Sequence, residues 1–332
     1  MPDSTAFVRD TEPFRRELLA HCYRMVGSVP DAEDIVQETY LRARRFYDGF
    51  EGRSSIRTWL YRIATNACLT ALSKHERRVL PSGLSEPEPD YTTVPSPAGP
   101  EVSWLQPIPD APVAADPEAI VAARGDLRLA LIASLQYLPA RQRAVLVLRD
   151  VLAFPAAEVA GMLGMTTVSV KSALQRARIR LKEVTPSADE ITEPPAPQAR
   201  AILDRYIAAF ENADAAELER LLLHDVTLEA TPFESWFRGR ATCLPFLRDQ
   251  VIGAPGYWRM LPASANGQPA AVGFTRGPDG TYQPYGVTVL TVARGGISAV
   301  VSFGDPALVA AFGVGSEPGE PSVAWVRCPE TE

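Results

Sequence analysis

Apolar positions recur every three to four residues through two separate stretches of the chain, residues 10–78 and 118–184. This period is that of an amphipathic helix, so both stretches are predicted to be all-α domains. In the first stretch, a helix that starts at Asp31 has one apolar face, formed by Ala32, Ile35, Val36, Thr39, Ala43 and Phe46. The next helix is predicted to follow a Ser54 or Ser55 N-cap and to bury Ile56, Trp59, Leu60, Ile63 and Ala67.

The second stretch is predicted to form four short helices, the last two of which make a helix-turn-helix. Pro139 and Pro155 stand where helices begin, and Gly164 suits the left-handed residue that ends one. The shared core of the last two helices is predicted to be Val159, Leu163, Val170, Leu174 and Leu181. The final helix displays a polar N-terminal half and a basic C-terminal half, which suits a helix lying in the major groove of DNA.

A proline-rich segment, residues 79–117, separates the two helical stretches. It contains ten prolines, which lack a backbone donor and disfavour helix in the preceding residue. The segment is therefore predicted to be a stiff linker that holds the two helical domains apart. Trp104 and Leu105 form a large apolar pair within it, and we expect them to dock onto the third domain or between the helical domains.

Residues 197–314 change from a helical pattern to a mixed one. Two helices come first, and the alternating runs VTLEAT, AAVGFTRG, YGVTVLTVAR and ISAVVSFG then predict strands joined by turns that contain PDG and GG. This order indicates an α+β domain with an antiparallel sheet whose curvature encloses a cavity. Residues 315–332 form a tail, in which Trp325 suggests some docking.

The net charge is −7, from 33 Lys and Arg against 40 Asp and Glu, which taken alone argues against nucleic acid binding. Phosphate binding depends, however, on where positive charge is displayed. Acidic residues crowd the start of the Asp31 helix, whereas arginines follow it with aromatic residues among them, namely Phe46, Tyr47, Phe50 and Tyr61. Cations that track phosphates beside aromatic faces suit single-stranded DNA.

The cysteines indicate neither a metal site nor a disulfide framework. Cys22, Cys68, Cys243 and Cys328 are scattered without a C-x-x-C pair, and there are three histidines. No apolar run is long enough to span a bilayer, and the N-terminus does not resemble a secretory signal. The expected setting is a reducing cytoplasm, without a cofactor and without membrane contact.

The run DAEDIVQETYLRA followed by RTWLYRIATNACL closely resembles region two of the extracytoplasmic-function sigma factors of RNA polymerase. The resemblance implies that the acidic helix binds a coiled coil of the polymerase β′ subunit through Asp31, Glu33, Asp34, Gln37 and Glu38. It also implies that the following loop and helix read the promoter −10 element, with the candidate contacts Phe50, Arg53, Arg57, Arg62 and Asn66. The family often has an aspartate and an arginine where this chain has Thr70 and Ser73, and this departure bears on the details of the −10 contact.

The run LPARQRAVLVLRD, then AAEVAGMLG and VKSALQRARIRLK, is similar to sigma region four, which reads the promoter −35 element. The candidate contacts on the recognition helix are Thr167, Ser169, Lys171, Ser172, Gln175, Arg176 and Arg178. Together the two regions imply a sigma factor that binds the β′ and β subunits of core RNA polymerase and promoter DNA and turns over no substrate. A separate anti-sigma factor is left open.

FESWFRGR, SANGQPA and FGDPALVAAFG resemble the SnoaL-like branch of the nuclear-transport-factor-two superfamily. The resemblance implies a cone-shaped domain that regulates the sigma regions in cis, and it leaves a small ligand of this domain open. Some relatives are isomerases or cyclases with a carboxylate base, for which the candidates are Glu229, Glu234 and Asp305, with His224 and Asn266 as helpers. Asp305 is expected instead to cap the last helix.

Several aromatic residues of this domain line either a ligand pocket or an ordinary core, namely Phe233, Trp236, Phe237, Trp258, Tyr282 and Tyr285. Two alternative functions therefore remain open besides that of a sigma factor. One is a SnoaL-type isomerase or cyclase with a DNA-binding appendage. The other is a ligand-sensing helix-turn-helix regulator that never binds polymerase, but such a regulator has no need of the acidic DAEDIVQE helix.

Overall fold

The computed structural model describes residues 4–52, 54–74, 77–110, 127–184, 196–315 and 318. Most of the predicted tail, with Trp325 and Cys328, lies outside these residues. The chain divides into two compact units, one drawn from residues 1–78 and 126–187 and the other from 79–125 and 188–332.

The first unit begins with four helices, α1 (Ser4–Thr11), α2 (Arg15–Val26), α3 (Val29–Phe46) and α4 (Ile56–Leu72). Gly27 ends α2 in the left-handed conformation, with φ of 73°. The Ser28 hydroxyl then accepts the Asp31 amide at 3.3 Å, which caps the start of α3. Ser55 caps α4 by accepting the Thr58 amide at 3.0 Å, so Ser55 rather than Ser54 is the N-cap.

The predicted buried face of α3 is confirmed except at its last residue. Phe46 is 60% exposed, because Phe7 of α1 fills that end of the core against Tyr40 and Tyr47. Tyr61 of α4 was expected to lie among the arginines as an aromatic face for single-stranded DNA, and this expectation is wrong, since Tyr61 is fully buried. Its ring lies 5.1 Å from the His21 ring and 5.1 Å from that of Phe154.

The first unit continues with α5 (Leu129–Gln136), α6 (Ala140–Leu146), α7 (Ala156–Leu163) and α8 (Thr167–Val184), and a wider π turn (Val147–Val151) extends α6. Pro139 and Pro155 directly precede α6 and α7, as predicted. Gly164 ends α7 with φ of 63°, which confirms the left-handed residue expected there. Four of the five predicted core residues are buried, and Leu181 is half-buried.

The two helical stretches pack against each other, so the prediction that the proline-rich segment holds them apart is wrong. α2 contacts α5, and α4 contacts α7. Thr58 donates to the Glu158 carboxylate at 2.8 Å, and the Asn66 amide donates to the Met162 carbonyl at 3.3 Å. Phe154 of the second stretch packs against the ring of Tyr61, and the burial of this apolar surface favours the packed arrangement.

Arg143 of α6 lies at this contact with a side chain that is almost fully buried. Its guanidinium donates to the Met25 carbonyl at the end of α2 and to the Gln136 amide oxygen at 2.6 Å. It also donates to the Gln136 and Leu138 carbonyls at 3.1 and 3.3 Å. Burial lowers the pKa of Arg143 to about 10, so the side chain remains charged at neutral pH. This one cation therefore joins the N-terminal and C-terminal halves of the unit.

His21 gives the first unit a pH-dependent stability. Its ring bonds the Thr65 hydroxyl at 2.9 Å, and burial, with a smaller effect of Arg24, lowers its pKa to about 3. An unfolded histidine has a pKa of about 6.5, so on acidification the unfolded state takes up a proton that the folded state does not. The contribution of His21 to the free energy of unfolding is complete at pH values above the unfolded-state pKa. It falls as the pH drops, by about 2 kcal/mol between about pH 7.5 and 5.

We expect His21→Gln, which keeps a partner for Thr65, to remove this component. The measurement is hydrogen exchange of the α2 and α4 amides at both pH values, and His224→Gln, at an exposed position, is the control. The same acid-induced loss of protection in His21→Gln as in the parent would contradict the expectation.

The second unit contains α9 (Ala196–Glu211), α10 (Ala215–Leu221), α11 (Arg240–Phe246) and α12 (Pro306–Ala311). Its strands are β1 (Leu222–Thr231), β2 (Trp236–Arg238), β3 (Trp258–Ala265), β4 (Gln268–Arg276), β5 (Tyr282–Ala293) and β6 (Gly296–Phe303). They form one sheet in the order β2-β1-β6-β5-β4-β3. The helices pack on this sheet over a core that includes Tyr206, Phe210, Phe237 and Leu290.

The expected antiparallel sheet is correct for every pair except β1 and β6, which are parallel. After β2 and α11 the chain crosses to the far edge of the sheet and returns through three antiparallel turns. It therefore reaches β1 running in the same direction. The pattern also did not predict β2, which has three residues, or β3, which contains Pro262. A proline is tolerated in β3 because this strand lies at the edge of the sheet.

Residues 79–110 of the proline-rich segment pack along the second unit, and we refer to them as the strap. Backbone amides of the strap donate to this domain from Glu88 to Trp236, from Ala98 to Pro232 and from Asp110 to Ser264, at 2.7, 2.8 and 3.1 Å. Prolines favour an extended backbone and have no backbone N–H that would need an acceptor. The residues between the prolines supply the amide donors.

The end of the strap is held by Asn266, a fully buried residue in the turn between β3 and β4. The Ile108 amide donates to the Asn266 side chain at 3.1 Å, and the Asn266 amide donates back to the Ile108 carbonyl at 2.9 Å. Leu105 is fully buried and Trp104 half-buried. The backbone of both residues lies beside Val79, so the strap closes on itself here.

Candidate nucleic-acid interface

The acidic surface of α3 consists of side chains that its amphipathic period keeps out of the core. Glu33, Asp34 and Gln37 are exposed. Asp31 is paired with Arg78, with 2.5 Å between the carboxylate and the guanidinium, and Glu38 is paired with Arg42 at 2.5 Å. The first turns of a helix favour negative charge. Three of the five predicted polymerase contacts are thus displayed, and two are held by cations of the same unit.

The residues predicted to contact the −10 element differ in their exposure to solvent. Arg62 is exposed, Phe50 is half-buried with its ring 5.0 Å from that of Trp59, and Arg53 lies outside the described residues. Thr70 and Ser73, where the chain departs from the family pattern, hydrogen bond to carbonyls of their own helix at 2.9 and 2.8 Å.

Arg57 and Asn66 are engaged inside the first unit. The Arg57 guanidinium pairs with Glu17 at 3.1 Å and lies over the rings of Tyr61 and Phe154, at 5.0 and 4.6 Å from their centroids. Asn66 donates to carbonyls of Arg62 and Met162. Because Phe154 and Met162 belong to the C-terminal half, this half occupies two side chains predicted to contact the −10 element.

The outward face of α8 displays Thr167, Ser169, Lys171, Gln175, Arg176 and Arg178, whereas Ser172 is half-buried. The Thr166 hydroxyl accepts the Ser169 amide at 3.1 Å and so caps the helix. Arg178 makes a bidentate pair with Asp150 at 2.8 and 2.7 Å. This pair holds α8 to the turn after α6. Asp150 is 28 positions away from Arg178, so no local sequence pattern identifies the pair.

The candidate catalytic carboxylates have structural partners. Glu229 is buried and accepts the strap amide of Ser82 at 2.9 Å, and burial raises its pKa. Its neighbours Leu228 and Ala230 line the cavity of the domain, so Glu229 faces the other side of β1. Asp305 accepts the Ala307 amide at 3.0 Å, which confirms its predicted role as a helix cap. Glu234 and His224 are exposed.

Four of the six aromatic residues considered for a pocket do line the cavity, namely Phe233, Phe237, Trp258 and Tyr285. The other two are used elsewhere. The Trp236 indole donates to the Ser85 carbonyl of the strap at 2.8 Å, and the Tyr282 hydroxyl donates to the Gly256 carbonyl at 2.8 Å.

Within the described part of the chain, no group of three or more His, Cys, Asp or Glu side chains is placed to hold a metal ion. None of the helices described is both long enough and apolar enough to cross a membrane.

Comparison with known proteins agrees with this geometry. Residues 11–78 match the family described as Sigma-70 region 2, and residues 128–181 match Sigma-70, region 4. The chain is 48% identical over 316 residues to the ECF RNA polymerase sigma factor SigG of Mycobacterium tuberculosis, covering 93% of this chain and 84% of that protein. It is 32% identical over 225 residues to SigJ of the same species, covering 66% of this chain and 63% of that protein.

The crystal structure of the Mycobacterium tuberculosis sigma factor SigJ superposes with a TM-score of 0.63 at 25% identity, covering 93% of this chain and 100% of that one. The two helical regions and the C-terminal α+β cone, a SnoaL-like domain, thus recur together in a sigma factor. The chain binds core RNA polymerase and promoter DNA and directs promoter-specific initiation of transcription. It belongs to the extracytoplasmic-function sigma factors.

Proposed function

We propose that the exposed surfaces of the first unit divide the two tasks of this sigma factor between them. The acidic surface of α3 binds core polymerase, through Glu33, Asp34 and Gln37 first and through Asp31 and Glu38 after their cations are displaced. The loop before α4 and the helix itself read the −10 element through Phe50, Arg53, Arg57, Arg62 and Asn66. The face of α8 reads the −35 element. The observation that carries the proposal is the separate display of an acidic and a basic helix face on one compact unit.

Arg176 gives a direct test of the assignment to α8. The side chain is exposed, and an arginine placed in the major groove contributes about 1–3 kcal/mol. We expect Arg176→Ala to lower the affinity of the holoenzyme for a promoter with an intact −35 element about tenfold or more, while the affinity for core polymerase is unchanged. Competition with DNA whose −35 element is scrambled measures the effect. Arg200→Ala, an exposed arginine of the second unit, is the control. Equal loss in both variants would contradict the assignment.

We further propose that the SnoaL-like domain modulates the sigma regions in cis by holding the strap, with Trp104 and Leu105 as its docking pair. The strap lies in sequence between the two sigma regions, so its release would add the 32 residues of 79–110 to the connection between them. Separating the two packed halves of the first unit would then cost less free energy. Such an equilibrium responds to a partner only by that partner's differential affinity for its two states.

Removing the residues after Val184 tests this regulation. The truncated chain keeps both sigma regions but loses the domain that holds the strap. We expect run-off transcription with core polymerase to rise severalfold relative to the full-length chain at equal concentration. Unchanged output would remove the regulatory role, and lower output would show that the domain supports transcription instead of restraining it.

The protein is further proposed to act in the cytoplasm and to turn over no substrate. The cavity of the SnoaL-like domain is lined by apolar and hydroxyl side chains, and Glu229, a candidate base that is buried, lies outside it. A general base must reach the proton that it removes. Co-purification with core polymerase separates this function from an isomerase and from a regulator that does not bind polymerase.

A further inference from the structure

The SnoaL-like domain encloses a cavity of about 100 Å³ between the sheet and the helices that pack on it. Most of its wall is apolar, with Phe210 and Phe246 on the helical side and Leu228, Trp258, Met260 and Val300 on the sheet. An apolar cavity of about 150 Å³ remains dry and binds a benzene ring or a xenon atom. This cavity has about two thirds of that volume, so it fits one small ring when its walls move slightly outward and excludes a larger ligand.

One part of the wall is polar. Tyr285, Thr288 and Ser302 line the cavity from two adjacent strands, and the hydroxyls of Thr288 and Ser302 lie 3.2 Å apart. Hydroxyl groups both donate and accept hydrogen bonds. They can therefore bind either a hydroxyl or a carbonyl group of a ligand. The lining residues carry no carboxylate, amine or guanidinium, so a charged ligand would be buried without a counter-charge, at a high cost.

Tyr285 owes its position to an irregularity in β5. Phe274 pairs with Pro284 and Gly273 with Gly286, so Tyr285 is an extra residue that bulges from the ladder. A bulge re-aims a side chain, and bulges are common beside functional sites. Gly286 is required at this point, because a Cβ atom there would lie 1.9 Å from the Phe303 carbonyl oxygen. The local backbone is thus built to place a tyrosine at the cavity.

The strap closes this cavity. Pro95 of the strap is a lining residue, and so are Phe233 and Ser235 of the loop after β1. The strap pairs with that same loop, since the Glu234 amide donates to the Ser96 carbonyl at 3.3 Å and the Ala98 amide to the Pro232 carbonyl at 2.8 Å. A molecule in the cavity would therefore touch the segment that connects the two sigma regions.

We propose that this cavity binds a small, uncharged molecule, about one aromatic ring in size with a single hydroxyl or carbonyl group, beneath the strap. The ring lies against the apolar wall, and its oxygen bonds the hydroxyls of Tyr285 and Ser302. Binding itself does not depend on the proposed regulation in cis. Only the consequence of binding rests on the proposed function: the bound ligand would favour one position of the strap.

The test uses the full-length protein and 4-fluorophenol, whose binding is followed by fluorine NMR without polymerase or DNA. 4-Fluorobenzoate, with the same ring and a negative charge, is the comparison ligand. Ala230→Leu places a larger side chain at the cavity wall. Tyr285→Phe removes one hydroxyl and keeps the shape of the ring, and Tyr282→Phe makes the same change on the same strand outside the cavity.

We expect 4-fluorophenol to bind the parent chain and 4-fluorobenzoate to bind at least about tenfold more weakly. Tyr285→Phe should raise the dissociation constant about fivefold, Tyr282→Phe should leave it unchanged, and Ala230→Leu should abolish binding. The ligand should also slow hydrogen exchange of the Ala98 amide in the strap.

Equal binding of the phenol and the benzoate would overturn the proposal, and so would equal binding to the parent and the folded Ala230→Leu variant. If that variant does not fold, an unchanged affinity in Tyr285→Phe overturns it instead. Because no transcription is measured, failure here leaves the roles of α3 and α8 untouched. Conversely, unchanged transcription after removal of the domain would leave the binding result standing.

Discussion

Reversing the charge of Glu33 and Asp34 together, to lysine, is expected to weaken binding of this sigma factor to core RNA polymerase by about 100-fold or more. Both side chains are exposed in the first turns of α3, and neither takes part in the buried face of that helix. The substitution therefore acts on the docking surface, where it replaces attraction to a basic partner by repulsion. Promoter-specific run-off transcription should fall with the binding, because the sigma factor acts only through polymerase.

The measurement is competition of each variant with the parent chain for a limiting amount of core polymerase. Glu219→Lys, at an exposed acid of α10 in the second unit, controls for a general effect of net charge. Circular dichroism checks that α3 is retained, since lysine near a helix N-terminus costs up to about 1 kcal/mol. If the double variant binds polymerase like the parent while the helix is intact, the polymerase contact lies elsewhere on the unit.

The helices of the first unit were predictable because their signals are local. The buried face of α3 follows from period alone, and caps such as Ser55 and Gly164 follow from the chemistry of one turn. A single sequence does not show which apolar surface meets which. The burial of Tyr61 is not predictable for this reason, since its partner Phe154 is 93 positions away along the chain.

The strap is a segment that was predicted to be free but that packs on a domain, and a single sequence does not show this contact either. Ten prolines in residues 79–117 indicate correctly that no helix forms there, and the inference to a free linker comes from composition alone. Extended backbone between prolines can equally pair with a domain that offers unpaired groups. Asn266 and the loop after β1 supply them here, and their distance in sequence from the strap conceals the match.

The sequence locates the residues of the candidate site but not the partners that some of them have inside the folded unit. Residue type and helical position located the exposed acids of α3 and the polar face of α8. The sequence did not reveal that Arg57 and Asn66 are occupied within the first unit, because their partners Phe154 and Met162 belong to a distant helical stretch. This occupancy indicates that promoter reading competes with an internal contact, and Arg143 is the residue that allows the contact to be weakened selectively.

Arg143→Met is expected to lower the stability of the contact between the two halves of the first unit by about 3 kcal/mol. Methionine fills much of the same volume but donates no hydrogen bond. The carbonyls of Met25, Gln136 and Leu138 would each lose the guanidinium donor. A buried acceptor without a partner costs about 1–3 kcal/mol. Removal of the buried charge offsets part of that loss, because arginine pays a desolvation cost here, as its lowered pKa shows.

Hydrogen exchange of amides in α2 and α6 measures this change, since the Met25 carbonyl belongs to α2 and Arg143 to α6. Arg141→Met makes the same replacement two residues earlier on α6, at an exposed position, and should change protection by less than about 0.5 kcal/mol. Arg143→Lys should recover only part of the loss, because one ammonium group cannot reach acceptors spread around a planar guanidinium. Equal protection in Arg143→Met and Arg141→Met would mean that the apolar contact of Tyr61 with Phe154 holds the halves together without the cation.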